Sequence, residues 1–199
     1  AQYDRDEHRK AVIDDIRKNW TRLSHNSKFH AIFATSSIPE AIKYYRLFKE
    51  KAPELKVTPL FDPNIDNNPG AIFKSDGLME LLTDYNDKYD VNFTMSSFAA
   101  YKKDVSLRLA HKVPYTGIER DRSKRIDILI VVDQMLTGFD SKWVNTLYLD
   151  KVLRYEGIIQ AFSRTNRLFN LAEKPFGIIR YYRKPHTMHR NIEDAFNLY

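Results

Sequence analysis

Ile126-Asp-Ile-Leu-Ile-Val-Val132 is the stretch on which the fold turns. All but Asp127 are β-branched or leucine. A half-exposed strand alternates apolar and polar residues, whereas a central parallel strand is covered on both faces and reads as an unbroken apolar run. The run is far too short to cross a bilayer.

Working outward, Thr146-Leu-Tyr-Leu149 reads as a further strand, Glu156 to Leu168 as a helix, and Phe176 to Tyr181 as a last strand. Ile192, Ala195, Phe196 and Tyr199 suggest a closing helix. Upstream, Phe29-His-Ala-Ile-Phe-Ala34 is a short strand. Thr35-Ser-Ser37 with Pro39 then signals a helix start. That helix keeps Ile38, Ala41, Ile42, Tyr45 and Phe48 on one face and ends near Lys51-Ala-Pro53. Leu55 to Phe61 reads as a strand interrupted by Pro59. Asp62 to Gly70 reads as a loop. Two helices come next, one with Leu78, Leu81, Leu82 and Tyr85, the other with Phe98, Tyr101, Val105 and Leu109. Pro114 to Lys124 is polar and irregular. At the front, Val12, Ile13, Ile16, Trp20 and Leu23 make an amphipathic helix. Strands alternating with helices imply an α/β fold with a parallel sheet and helices on both faces. The expected division is an N-terminal helix or linker over 1–25 and the sheet domain over 26–199.

The chain has 199 residues, 43% hydrophobic and 29% charged, an ordinary globular balance. It has no cysteine, which excludes disulfides and thiolate metal sites and fits a reducing cytoplasm. A charged start without a signal peptide and a first residue other than Met fit a fragment of a longer cytoplasmic protein. The net charge of +6 permits a polyanionic partner such as nucleic acid.

In open α/β sheets ligands bind outside the carboxyl ends of the strands. Thr35-Ser36-Ser37 comes after the first strand at a helix N-terminus, a natural anion site. Asp133-Gln-Met-Leu-Thr137-Gly138-Phe139-Asp140 comes after the central strand, and Asp150-Lys151 after the next. Gln160, Arg164 and Arg167 are spaced to share one helix face, where guanidinium forks match phosphate oxygens. Each element also has a plainer reading. Thr35–Ser37 caps a helix, Asp133 and Asp140 are turn residues, and the arginines form a solvated face or pair with Glu156 and Glu173. The joint order favours the functional reading.

Asp133 with Thr137-Gly-Phe-Asp140 resembles motif V of superfamily 2 helicases, and Gln160-Ala-Phe-Ser-Arg164-Thr-Asn-Arg167 resembles motif VI. Ile128 to Asp133, Leu147-Tyr-Leu-Asp-Lys151 and Ile159 to Arg167 together look like the motor (R) subunit of type I restriction enzymes. The match is densest from Ile126 to Leu168. Tyr101-Lys-Lys-Asp-Val and Arg108 fit more loosely. Ser163 stands where many helicases carry glycine and Thr137 where many carry arginine, which fits the restriction family better than an RNA helicase.

The resemblance implies a second RecA-like lobe of an ATP-driven DNA translocase. Arg164 and Arg167 would then be arginine fingers, with Gln160 orienting them or the nucleotide. Gly138 and Asp140 would shape the cleft, and Thr35, Ser36 and Thr137 would hold DNA phosphates. It further implies duplex DNA, a first RecA-like lobe of the same parent chain, and methyltransferase and specificity subunits as partners.

No G-x-x-x-x-G-K-[ST] run occurs and no D-E-x-H box, so ATP and Mg²⁺ would be held mainly by that first lobe. The chain alone is expected to be inactive. Asp62 to Phe73 begins like a Ca²⁺ loop but has Asn67 and Phe73 where glycine and glutamate belong, so no metal site is expected. His186 and His189 lack a third ligand. Two other classes remain open: a nucleic-acid-binding or assembly module without catalysis, and a helicase or remodeller lobe of another pathway.

Overall fold

A computed structural model describes residues 2–62, 71–132 and 141–198, the side chains of 71–73 apart. Five parallel strands form one sheet in the order β2-β3-β1-β4-β5: β1 (His30–Thr35), β2 (Val57–Leu60), β3 (Ile128–Val132), β4 (Val144–Leu149) and β5 (Ile178–Tyr181). β1 lies in the middle, with Phe33 level with Ile130 on one side and Tyr148 on the other. Every residue of β1 and β4 is buried, so helices cover both faces of the sheet.

The helices are α1 (Asp6–Leu23), α2 (Ile38–Lys51), α3 (Ala71–Tyr89), α4 (Phe98–Ala110), α5 (Glu156–Ser163) and α6 (Pro185–Leu198). α2 starts as its sequence dictates. The Ser37 hydroxyl accepts from the Glu40 N–H at 3.3 Å, and Pro39 occupies the first turn. Its inner face packs Tyr44 edge-on against Phe33 at 4.7 Å between centroids.

α1 is built into the same core. Val12, Ile13, Ile16 and Trp20 are buried with the strand residues, each fully buried aliphatic side chain contributing about 1.5–3 kcal/mol. Its polar contacts fix its position. Arg9, 2% exposed, forks onto Glu40 at 2.9 and 2.6 Å. Asp15 meets Arg180 of β5 at 2.8 Å, and Asn145 of β4 donates to the Leu23 carbonyl at 2.7 Å.

β2 keeps Pro59 because it is an edge strand, where a missing N–H is tolerated. The 114–124 segment holds two 3₁₀ turns, Ile118–Arg120 and Arg122–Lys124. Arg108 is structural. It lies 2% exposed between the rings of Tyr89 and Tyr115, each 4.2 Å away, and donates to Asp104 at 2.9 Å.

The main departure from the sequence reading is α5, which stops at Ser163 rather than Leu168. At its end the Arg164 and Thr165 N–H groups bond back only three residues, to the Ala161 and Phe162 carbonyls at 3.2 Å each, and the Ser163 hydroxyl donates to the Gln160 carbonyl at 2.7 Å.

Candidate functional site

Chain order sets what can meet. β1 sends the chain to one side of the sheet, and β4 returns on the other, so the crevice beyond their carboxyl ends is where a ligand fits. A cavity of about 320 Å³ opens there, lined by Tyr3, Ser36, Lys151, Val152, Arg183 and Lys184. Ser36 lies just after β1, Lys151 after β4, and Arg183 and Lys184 after β5, so two strand ends bring three cations, and a third brings a hydroxyl, to one place.

Asp150 is the floor of this arrangement. Its carboxylate is 1% exposed and accepts from Tyr44 Oη at 2.6 Å, His8 Nε2 at 2.8 Å and Arg183 Nε at 3.1 Å. Burial, with the Asp150 charge beside it, pushes the Tyr44 hydroxyl far above its ordinary range, so it stays a donor. Arg183 also reaches the Tyr3 carbonyl at 3.3 Å and Asp4 at 3.3 Å. Burial lowers the Lys151 ammonium to about 8, so near neutral pH it is cationic and gains from an anion. Lys184, in the cavity wall, has a positive φ of 44°, unusual for residues other than glycine.

The structure sorts the expected residues. Ser36 is exposed at the cavity. Thr35 is not available there. It is fully buried, and its hydroxyl donates to the Val131 carbonyl of the neighbouring strand β3 at 3.1 Å. Of the two hydroxyls expected to hold phosphate, Ser36 is the one at the cavity. Thr137, Gly138 and Asp140 lie outside the described residues.

Gln160 is exposed on α5, but the single helix face expected for Gln160, Arg164 and Arg167 does not exist, because the helix ends between them. Arg164 caps the helix and Arg167 lies in the loop beyond it. That loop runs along the amino edge. Thr165 abuts Gly177, the residue before β5, and Phe169 packs on Trp143 and Phe29, the residues before β4 and β1. With a rise of about 3.3 Å per residue over four to six residues, the two edges are on the order of 15–20 Å apart. The cationic sets therefore occupy opposite ends of the sheet.

The family described as type I restriction enzyme subunit R domain 3 matches residues 27–184. The chain belongs to this family. Among curated subunit R relatives, the type I restriction enzyme SauCOLORF180P endonuclease subunit of Staphylococcus aureus (strain COL) is 36% identical over 197 residues, covering 94% of this chain and 20% of the relative. The HindI endonuclease subunit of Haemophilus influenzae is 31% identical over 93 residues, or 45% of this chain and 9% of the relative. The chain thus spans a fifth of the length of its S. aureus relative. Domain 2 of the DEAD-box helicase Mss116p, solved bound to an RNA duplex, superposes with a TM-score of 0.54 at 14% identity, over 96% of this chain and 56% of that one. At that identity the likeness speaks to the fold alone, that of a RecA-like helicase lobe. Among the described residues, no helix of this subunit R domain is long and apolar enough to cross a membrane, and no group of three or more His, Asp or Glu side chains could hold a metal ion.

Arg183 and Lys184 were absent from the sequence-based site. The rule that ligands bind beyond the carboxyl ends of the strands holds for β5 as for β1 and β4, and it points to both residues.

Proposed function

We propose that this domain is the second motor lobe of an ATP-dependent DNA translocase within a type I restriction endonuclease, with its two cationic edges doing different work. The carboxyl edge, with Ser36, Lys151, Arg183 and Lys184, holds DNA phosphates. Such contacts fix the position of the duplex without reading its sequence. The amino-edge loop presents Arg164 and Arg167 to the γ-phosphate of ATP carried by the first lobe of the parent chain, with Gln160 one turn earlier as an orienting amide. The observation that carries this reading is the separation of the two sets to opposite ends of one sheet. A lobe that closes on nucleotide at one place and grips DNA at another can turn closure into movement.

The domain supplies half of the catalytic site. In this reading Mg²⁺ and the ATP phosphates are held mainly by the first lobe of the parent chain. Isolated, the domain does not hydrolyse ATP. In the assembled enzyme its partners are duplex DNA, that first lobe, and the methyltransferase and specificity subunits.

An arginine finger is worth on the order of 10³–10⁵ in rate, about 4–7 kcal/mol of barrier. In the assembled enzyme, Arg164→Ala lowers DNA-stimulated ATP turnover at least a hundredfold while ATP still binds. Unchanged turnover would remove the finger role and leave a nucleic-acid-binding module without catalysis.

A further inference from the structure

The segment 164–177 between α5 and β5 is tied down at three points. At its neck Gly177 sits close against Thr165, chiefly its side chain. A Cβ added at 177 would lie 2.2 Å from Thr165 Oγ1, 2.6 Å from its Cβ and 2.8 Å from its carbonyl oxygen. Thr165 itself is 1% exposed and cannot swing out without opening the core. Ends in contact make this a compact closed loop rather than a simple connection.

The middle of the loop is held by rings. Phe169 meets Trp143 at 4.7 Å and Phe29 at 5.4 Å, both edge-on. Trp143 is stacked on His111 at 3.9 Å and 8°. The ammonium groups of Lys28 and Lys142 lie 5.1 and 5.3 Å from the Phe169 ring centre.

The third tie is Lys174. Its side chain is 2% exposed, and Nζ donates to the carbonyls of Val144 at 2.7 Å and Lys142 at 3.0 Å, at the amino end of β4. Burial lowers this ammonium to about 8. Lysine is seldom buried, and burying its charge is costly. Here its long stem lets the loop reach the strand end and satisfy two carbonyls there. Glu173 pairs with Lys28 beside it.

We propose that Gly177, Phe169 and Lys174 are positioning residues that hold Arg164 and Arg167 where they meet the nucleotide. The ties begin at Thr165, the residue after Arg164, and resume at Phe169, two residues after Arg167, and they fix the loop to the starts of β1, β4 and β5, so the backbone carrying both arginines is held by the sheet rather than by a loose connection. This rests on the finger reading of the two arginines. An added methyl at 177 must move Thr165, next to Arg164, by about 1 Å, and displacements of that size near a reacting group can cost on the order of 10²-fold.

The test uses the assembled enzyme with ATP and duplex DNA. Gly177→Ala is expected to lower kcat tenfold to a hundredfold with KM for ATP within about twofold. Phe169→Ala and Lys174→Met are expected to do the same more weakly, while Phe169→Tyr and Lys174→Arg retain most of the turnover. Arg164→Ala is measured alongside. If Arg164→Ala keeps its turnover, the finger reading itself fails. If Arg164→Ala loses turnover while Gly177→Ala and Phe169→Ala keep theirs, the positioning role is overturned. Should Gly177→Ala fail to fold, the pairs at Phe169 and Lys174 decide: loss with rescue by the conservative variant supports the proposal, and equal turnover in all four overturns it. A fall confined to protein yield, with kcat per folded molecule unchanged, also overturns it, since that is what a merely structural role produces.

Discussion

Replacing Asp150 by alanine removes one buried carboxylate and leaves three side chains without their acceptor: Tyr44, His8 and Arg183, the last through both Nε and Nη2. Tyr44 is fully buried and cannot turn to water, and Arg183 is only 14% exposed. Hydrogen bonds to a charged group contribute about 1.5–3 kcal/mol each, but the three share one acceptor and do not add. The loss of one partner from a buried ion pair costs about 3–5 kcal/mol, a large part of the roughly 5–15 kcal/mol that holds a domain together. With a urea slope of about 2 kcal/mol/M for a domain of this size, the unfolding midpoint falls by roughly 1.5–2.5 M. Asp150→Asn keeps one acceptor oxygen and costs about half as much; Tyr44→Phe removes one bond and costs about 1–2 kcal/mol. Urea denaturation of the three variants, monitored by tryptophan fluorescence and circular dichroism, measures the series. A midpoint shift under 0.5 M for Asp150→Ala, about 1 kcal/mol at that slope, would refute the view of Asp150 as the anchor of the carboxyl edge.

The charges lead to two further outcomes. His30 is fully buried; burial above all, then the neighbouring His111, holds its pKa down to about 3, against an ordinary 6.5. The folded state therefore prefers the neutral ring, so its contribution is present above pH 6.5 and is lost as pH falls toward 3, with about 2 kcal/mol gone between pH 7 and pH 5. Comparing urea midpoints at the two pH values tests this, since His30→Gln should be less stable but flatter with pH, and an unchanged pH dependence would count against it. At the carboxyl edge, Lys151→Ala and Lys184→Ala should weaken DNA binding equally for all sequences and each reduce the salt slope of log Kd by about 1; a sequence-dependent loss would mean base contacts instead.

The parts of the fold legible in sequence are those where one physical demand dominates. β3 is an unbroken aliphatic run because it is covered on both faces, and α2 carries Ser37 and Pro39 because a helix start needs a side-chain acceptor and has no use for the missing N–H. The end of α5 was not legible, because Ser163 and Thr165 are compatible with a helix by propensity, and the chain leaves the helix where Thr165 is buried against Gly177, a contact distant in sequence. The burial of Thr35 was hidden for a similar reason, since a hydroxyl residue at a strand end can face either the core or the crevice. The basic cavity was half legible. Ser36 and Lys151 stand beside recognisable strands, whereas Arg183 and Lys184 join them through the order of the strands, which no local pattern reports. Gly177 left a faint signal, a glycine at the mouth of a strand, which marks a close backbone approach. Lys174, buried against two carbonyls, left none.

The division of labour between the two edges is tested most directly by titrating duplex DNA into the assembled enzyme and measuring ATP turnover for wild type, Lys151→Ala and Arg164→Ala. The account predicts that Lys151→Ala raises the DNA concentration giving half-maximal turnover, and that Arg164→Ala lowers the maximum at least a hundredfold without moving that concentration. The reverse pattern, or the same change in both variants, would contradict it.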